Sequence, residues 1–179
     1  MIKKISIIIV LILAFPLISA LFVKNEYSVE REVTINKNKT DVFNYVKYLK
    51  NQDDFSKWAM MDPKMKKSFR GIDGTVGFVS SWNSNNEDVG KGEQEIIKIT
   101  DGQRIDFELR FFSPFESTSP AYMTTVATKD QQTKVSWGFK GHMNYPTNLM
   151  LVLMDFEKII GDDLQTGLDK LKIILENEQ

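Results

Sequence analysis

The sequence predicts an α+β domain in which a curved antiparallel sheet of about seven strands surrounds a long C-terminal helix. Short strand-like runs separated by turn residues fill the middle of the 179-residue chain, and two of them alternate between apolar and polar residues. A long apolar stripe at helical spacing follows these runs. An unbroken apolar run precedes the first strand, so we divide the chain into a segment 1–24 and a domain 25–179.

Composition indicates one globular domain plus a leader. Hydrophobic residues make up 42% and charged residues 26% of the chain, as in ordinary folded domains. The formal net charge is −1. Without the two lysines that precede Lys24, 21 basic and 24 acidic residues leave the rest of the chain at −3. Because nucleic-acid binding needs a basic surface, we expect no nucleic-acid partner. The absence of cysteine excludes disulfides and thiolate chemistry.

The N-terminal segment predicts the location of the domain. Lys3 and Lys4 precede an apolar or small run, Ile5–Val23, which is about the 20 residues that a membrane-spanning helix needs. The positive-inside rule places the N-terminus inside, so the domain is expected on the outer side of the cell membrane as a single-pass protein. Two alternatives remain open: a signal peptide cleaved near Ala20, giving a secreted or periplasmic protein, or a buried core helix.

The first third of the domain predicts one strand and two short helices. Tyr27–Ile35 reads as a strand with charges between its apolar residues. Asn38, with Asp41 three residues later, is typical of a helix N-terminus. A second, shorter helix is expected between Asp53 and Met61.

Six further strands are expected between residues 67 and 143. Ile105, Phe107, Leu109 and Phe111 share one face, and so do Val135, Trp137 and Phe139, which predicts a sheet with one solvated side. The runs are Lys67–Arg70, Val76–Trp82, Gly90–Thr100, Arg104–Phe112, Pro120–Thr128 and Thr133–Met143.

A long apolar stripe predicts the last helix. Gly161 and Gly167 each cost about 1 kcal/mol relative to alanine in a helix, and we expect them to let this helix lie close to the sheet. The stripe consists of Leu149, Leu153, Phe156, Ile160, Leu164, Leu168, Leu171 and Leu175.

The order of these elements, a strand, a helix pair, six strands and a long helix, resembles the SRPBCC superfamily and its bacterial polyketide-cyclase-like branch. The resemblance implies a helix-grip fold with a cavity between sheet and helix, and that superfamily uses the cavity for lipids, polyketides and other hydrophobic molecules. No catalytic residue is implied. The likeness is carried by Trp58 to Pro63, Gly71 to Gly77, Gly90 to Ile96, Arg104 and Ile105, Thr133 to Trp137, and the helix Phe156 to Leu171.

Few residues suggest catalysis or metal binding. His142 is the single histidine and is expected to be exposed at a strand end, or to lie at the mouth of the cavity, so we expect no metal and no cofactor. No Gly-x-Ser-x-Gly elbow presents a serine. Glu93 and Glu95 share the parity of inward residues and could act as general acids if buried, but a bulge at Gly92 that turns them outward is the preferred interpretation.

A set of aromatic and methionine side chains predicts the binding site. Methionine adapts to irregular apolar ligands, and tryptophan and tyrosine add a polar group to a large apolar surface. The leading hypothesis is a membrane-tethered or exported binding module for a hydrophobic small molecule or lipid. A filled-core envelope or stress interaction protein and a cyclase- or dehydratase-like enzyme are the alternatives. The predicted ligand-binding residues are Trp58, Met61, Phe78, Trp82, Phe107, Tyr122, Trp137, Phe139, Met150 and Met154.

Overall fold

A computed structural model describes residues 2–177, except for the side chains of residues 2, 3, 5, 7–11 and 13. The first helix, α1, spans Ile2–Ala20. Lys3 and much of the apolar run used to predict a membrane span therefore lie outside the described side chains. Among the parts of the chain that are described, no helix is long and apolar enough to cross a membrane. The membrane span stays a prediction.

One antiparallel sheet of seven strands forms the body of the domain, as the sequence predicts. Its strand order is β1-β7-β6-β5-β4-β3-β2, so the first strand joins the last at one edge and the remaining neighbours are consecutive hairpins. The strands are β1 (Glu26–Ile35), β2 (Lys66–Arg70), β3 (Val79–Asn83), β4 (Lys91–Thr100), β5 (Arg104–Ser113), β6 (Ser117–Lys129) and β7 (Gln132–His142).

Short helices connect β1 to β2 and close one end of the sheet. The first begins after Asn38, whose side-chain oxygen accepts a hydrogen bond from the Asp41 amide at 3.0 Å, as the sequence indicated. The expected second helix is divided in two, and a 3-10 turn over Leu49–Asn51 precedes it. These helices are α2 (Lys39–Val46), α3 (Gln52–Phe55) and α4 (Lys57–Met61).

The C-terminal helix begins later than predicted. A 3-10 turn (Thr147–Leu149) and a short helix α5 (Met150–Leu153) precede it. The backbone of Met154 is extended, at φ −130° and ψ 136°. Helix α6 (Phe156–Asn177) then starts because the Asp155 carboxylate accepts a hydrogen bond from the Lys158 amide at 2.9 Å, which is helix capping. Because the apolar spacing continues across this break, periodicity alone predicted one continuous helix.

Helix α6 packs its apolar stripe into the concave face of the sheet, as expected. Leu164, Leu168, Leu171 and Leu175 are all at most 3% exposed. A Cβ atom on Gly161 would meet the Arg31 guanidinium, and one on Gly167 would lie 2.9 Å from the Trp137 ring. The two glycines therefore allow the helix to approach β1 and β7 closely, as the sequence predicted.

Two irregularities bend the sheet and set the direction of its side chains. The register between β4 and β5 shifts between Lys91 and Gly92 and again between Ile96 and Lys98. Such β-bulges increase local twist and turn the following residues to the other face. The concave face thereby receives Gly92 and Ile96, and the intervening glutamates face outward. The expected bulge at Gly92 is confirmed.

Candidate functional site

The concave side of the sheet encloses a cavity of about 950 Å³ that opens to solvent at one end. Strands β3 to β7 form its floor, and α3, α4 and the start of α6 form its roof. Exposed residues at its open end are Glu87, Asp88, Phe115 and Glu116. The remaining sheet and helix surfaces are joined by a filled core that includes Phe55, Ile105 and Leu171, each 0% exposed.

Small residues on the floor leave this space open. Every second residue of β6 points inward, and Ser117, Ser119 and Ala121 all line the cavity. Ser80 on β3 is equally small and lines the same space. Because these short side chains cannot reach the roof, the sheet curvature produces a cavity at this end rather than a packed core.

Aromatic side chains form the walls. The rings of Trp58 and Trp137 meet edge to face at 6.2 Å. The Phe111 ring contacts Trp82 at 5.9 Å and Phe139 at 6.5 Å. Such edge-to-face contacts hold large apolar rings in defined orientations. The cavity therefore has a preformed apolar surface suited to a ring system or an alkyl chain.

Backbone geometry fixes two of the tryptophans. Gly92 lies under the Trp82 ring, and a Cβ atom there would be 2.6 Å from that ring. The Trp82 indole nitrogen donates a hydrogen bond to the Val89 carbonyl at 3.2 Å. Gly167 plays the same part beneath Trp137. Since the polar atom of Trp82 is already bonded, its ring presents an apolar face to the cavity.

Polar groups lie along the part of the cavity near α3. The Lys67 ammonium on β2 forms an ion pair with the Asp53 carboxylate on α3, and both residues line the cavity. Gln52 is 8% exposed, and its amide nitrogen has no hydrogen-bond partner among the described residues. Three further polar residues line the same space: Ser56, Ser80 and Gln94.

The mouth carries the single histidine and a half-buried tyrosine. His142 is exposed at the end of β7, where its Nε2 lies 3.1 Å from the Asn144 side-chain oxygen, and it borders the cavity. The position agrees with both expected locations of this residue. Nearby, partial burial raises the pKa of the Tyr27 hydroxyl above its usual value, so this tyrosine stays neutral. Its ring centroid lies 5.8 Å from that of Phe156, with the two rings tilted by 40°.

Half of the predicted ligand-binding residues border the cavity, and the other half lie elsewhere. Trp58, Trp82, Trp137, Phe139 and Met150 line it. Phe78 and Phe107 are at most 1% exposed and belong to the filled core. Their placement differs from the prediction because inward-facing residues at the narrow part of the sheet pack directly against their neighbours.

Three other predicted residues do not line the cavity. Tyr122 lies on the convex face, where its hydroxyl donates to Glu30 and the Arg104 guanidinium sits 3.9 Å above its ring. The bond to Glu30 raises the pKa of Tyr122. Met154 is 40% exposed at the break before α6. Met61 borders a separate, smaller pocket of about 370 Å³ beside Asn83 and Asn85.

Glu93 and Glu95 are not buried acids. Both face outward and bind Arg110, each at 2.7 Å, and Glu108 joins them. Hydrogen bonds, first to Glu95 and then to the other two carboxylates, raise the pKa of Arg110 above its ordinary value. The inward interpretation of these glutamates is wrong because the β4 bulges reverse their direction. The cluster stabilises the convex face, away from the cavity.

Solved structures share this fold. Truncated norcoclaurine synthase from Thalictrum flavum matches with a TM-score of 0.65 and 12% identity, over 86% of this chain and 96% of that one. An NMR structure of a protein from Thermobifida fusca matches with a TM-score of 0.54 and 20% identity, over 81% and 90%. DynU16, from the dynemicin biosynthetic locus, matches with a TM-score of 0.59 and 11% identity, over 85% and 48%.

These identities establish the fold and nothing finer. No protein-family model and no curated protein sequence matches the chain. The sheet, the long helix and these neighbours together define a helix-grip fold. Its distinguishing feature is the open, aromatic-walled cavity.

Proposed function

We propose that this protein is a binding module for a hydrophobic small molecule or lipid, held in the cavity between the sheet and α6. The observation that carries the proposal is the cavity of about 950 Å³ with aromatic walls. Ligand sites are typically preformed clefts of about 300–1,000 Å³, lined mainly by apolar side chains with a few polar groups. The size and lining of this cavity fit that description.

The placement of small residues favours binding over a filled-core interaction protein. A domain selected only for stability would fill this volume, since each void forfeits van der Waals contacts. Here Ser119 and Ala121 stand where larger side chains would reach the roof. The rest of the core contains fully buried phenylalanine and leucine side chains. The space is thus localised at one end of an otherwise packed domain.

The similar structures support the same proposal at the level of the fold. Norcoclaurine synthase has been solved in complex with dopamine and hydroxybenzaldehyde, so a structure of this fold accommodates small aromatic molecules. We further propose that the chain belongs to the bacterial polyketide-cyclase-like branch, on the residues that carry that resemblance. In this chain we assign the cavity a binding role.

We further propose that segment 1–24 holds the domain at the outer face of the cell membrane. The described structure contributes one supporting feature, a fixed junction between this segment and the domain. The Asn148 amide nitrogen lies 2.8 Å from the Ala20 carbonyl, 3.0 Å from the Val23 carbonyl and 2.9 Å from the Asn25 side-chain oxygen. Because Asn148 precedes Met150 at the cavity wall, the mouth would have a fixed position relative to the anchor.

Binding can be tested with a neutral fluorescent dye and two matched variants. Nile red should bind the unmodified protein saturably, with about one dye per chain. Ser80→Trp fills the cavity floor, and we expect it to abolish binding. Ser68→Trp makes the same change at an exposed position on β2 and should leave binding intact. Absence of saturable binding by the unmodified protein, or equal effects of the two changes, would contradict the proposal.

The location can be tested separately in cells. The intact chain should remain in the membrane fraction after alkaline carbonate extraction, and protease added to spheroplasts should digest the domain. Protection of the domain until the inner membrane is broken would contradict the outer location. Release of the full chain by carbonate would contradict the anchor.

A further inference from the structure

Three polar side chains cross the floor of the cavity in one row. Ser80 on β3 pairs with Gln94 on β4. Gln94 pairs in turn with Leu109 on β5, and Leu109 pairs with Ser119 on β6. All four residues line the cavity, and the glutamates on either side of Gln94 face outward, so Gln94 points inward. We call Ser80, Gln94 and Ser119 the polar row.

The hydrogen-bonding capacity of the polar row is unused and open to the cavity. Ser119 is only 3% exposed, yet its hydroxyl makes no hydrogen bond within the described part of the chain, and the same holds for the side chains of Ser80 and Gln94. Two unpartnered side-chain atoms of that part are enclosed by protein, and they belong to Gln52 and Asn148. The atoms of the polar row are not enclosed in this way. Because buried polar groups are nearly always bonded, these groups are available to a molecule in the cavity.

The polar row lies behind an aromatic row when the floor is followed inward from the mouth. Trp82 and Phe111 both pair with Gly92, two residues nearer to the hairpins whose tips border the mouth. Two residues of a strand span about 7 Å, so a molecule with two fused rings can contact both rows. On the other side of the polar row, Ile96 and Phe107 are each 0% exposed and belong to the filled core. A molecule that enters from the mouth therefore meets the aromatic row first and the polar row at the inner end of the floor.

Hydrogen bonding at the polar row determines which end of a ligand can lie there. In the unliganded cavity these groups bond to water, and a ligand that displaces the water without replacing its hydrogen bonds loses affinity. An apolar end would leave the serine hydroxyls and the glutamine amide unbonded. A hydroxyl or carbonyl group replaces the water, because a serine hydroxyl and a glutamine amide each both donate and accept.

The charge of the lining favours an uncharged group at this position. Besides the histidine at the mouth, the described lining has one basic side chain, Lys67, and its ammonium group is already paired with the Asp53 carboxylate. An anionic group would have to leave water without a free cation to receive it, which costs far more than burying a hydroxyl. Three further carboxylates line the cavity, those of Glu87, Asp88 and Glu116.

We infer that the cavity selects molecules whose inner end carries an uncharged hydroxyl or carbonyl group, which hydrogen-bonds to Gln94 and Ser119 while the apolar body lies against Trp82 and Phe111. This inference rests on the proposed binding function and defines the ligand class of the same cavity. Pure hydrocarbons and ionised carboxylates are disfavoured for different reasons, the first by lost hydrogen bonds and the second by charge.

Two competitors of the same shape test the hydrogen bond. 2-Naphthol and 2-methylnaphthalene differ by a hydroxyl in place of a methyl group, and each is titrated against bound Nile red at about pH 7, where a phenol is neutral. Gln94→Met removes the amide and preserves the length of the side chain. We expect this variant to weaken 2-naphthol about tenfold, the upper range for one neutral hydrogen bond, and to leave 2-methylnaphthalene unchanged or tighter. Equal weakening of both competitors would mean that Gln94 acts by packing and would overturn the inference.

Ser119→Ala provides an independent test of the same row. It should weaken 2-naphthol and spare 2-methylnaphthalene, in the same direction as Gln94→Met. Gln103→Met, at an exposed turn between β4 and β5, and Ser68→Ala, at an exposed position on β2, are the matched controls and should change neither competitor. Loss of 2-naphthol affinity in the controls would overturn the assignment to the polar row.

The charge argument is tested with 2-naphthoate, which is ionised at about pH 7. We expect it to displace Nile red only at concentrations at least tenfold higher than 2-naphthol. If 2-naphthoate competes as well as 2-naphthol, the restriction to uncharged groups is overturned.

Thermal stability separates ligand recognition from a structural role. Since neither side chain has a partner within the described part of the chain, Gln94→Met and Ser119→Ala should leave the melting temperature of the unliganded protein equal or higher. A fall relative to the control variants would mean that these groups bond within the protein, and would overturn the inference. If Nile red fails to bind the unmodified protein, the proposed function itself fails. If the dye binds and the preference for 2-naphthol does not depend on the polar row, only this inference fails.

Discussion

A leucine-to-tryptophan change at two positions separates the cavity from the core. Leu109 on β5 lines the cavity, whereas Leu168 on α6 is 0% exposed and packs in the filled core. The added volume of the indole ring is the same in both variants. At Leu109 it extends into open space, and at Leu168 it must displace neighbouring side chains.

The expected effects on stability follow from these surroundings. Overpacking a filled core costs about 1–3 kcal/mol. For a domain of this size each kcal/mol lowers the melting temperature by about 2–4 °C, so Leu168→Trp should lower it by roughly 2–12 °C. Leu109→Trp should stay within about 0.5 kcal/mol, or roughly 2 °C at most. Its effect should appear instead as loss of Nile red binding.

Differential scanning calorimetry and dye titration on the same preparations complete this test. Leu168→Trp should retain dye binding at temperatures below its transition, because its substitution lies away from the cavity. A similar fall in melting temperature for both variants would mean that the space above Leu109 is filled in solution. Unchanged dye binding by Leu109→Trp would mean that the dye binds elsewhere.

Three further changes test the fold, the N-terminal junction and the half-buried Tyr27. Leu171→Ala removes a fully buried side chain and should lower the free energy of unfolding, measured by chemical denaturation, by about 2–5 kcal/mol. Lys170→Ala, at the exposed neighbouring position, should change it little. Equal losses for the two variants would refute the orientation of α6. Asn148→Ala deprives the Ala20 and Val23 carbonyls of a hydrogen-bond donor. Because the junction is then held less firmly, limited proteolysis near residues 20–25 should be faster. An unchanged cleavage rate would refute the fixed junction. Burial raises the pKa of Tyr27 above 10.0, so the folded state retains a proton that the unfolded state loses, and stability should fall as pH rises above about 10. Tyr27→Phe should reduce the slope of melting temperature against pH in that window, and an unchanged slope would show that this phenol does not contribute.

The fold was predictable because its main signals are local and periodic. Alternation in β5 and β7 identified the inward residues correctly, including Leu109, Trp137 and Phe139. The stripe of α6 identified its buried face. The beginning of that helix was missed because apolar spacing continues through Met154, while the capping role of Asp155 is decided by backbone geometry.

The candidate site was less predictable from the sequence. The predicted binding residues are large side chains, whereas small side chains determine where the cavity lies. On β6 the inward residues are Ser119, Ala121 and Met123, so Tyr122 faces outward to Glu30. Strand parity read from these small residues would have placed the tyrosine correctly. The run of serine and alanine at alternate positions was the available signal for a cavity.

The polar groups of the cavity near α3 were beyond sequence reasoning. Gln52 and Lys67 are separated along the chain, and their residue types are ordinary for a solvated surface. They reach the same cavity only because α3 packs over the floor near β2. Whether a glutamine is exposed or buried without a partner depends on that tertiary packing, which no local pattern records.

Native mass spectrometry of the protein purified from its own host tests the central claim most directly. The account predicts a complex carrying one hydrophobic molecule, released on collisional activation, and predicts that Leu109→Trp prepared in the same way has the bare mass of the chain. A bare mass for the unmodified protein, combined with no saturable binding of Nile red, would contradict the claim that this cavity is a ligand site.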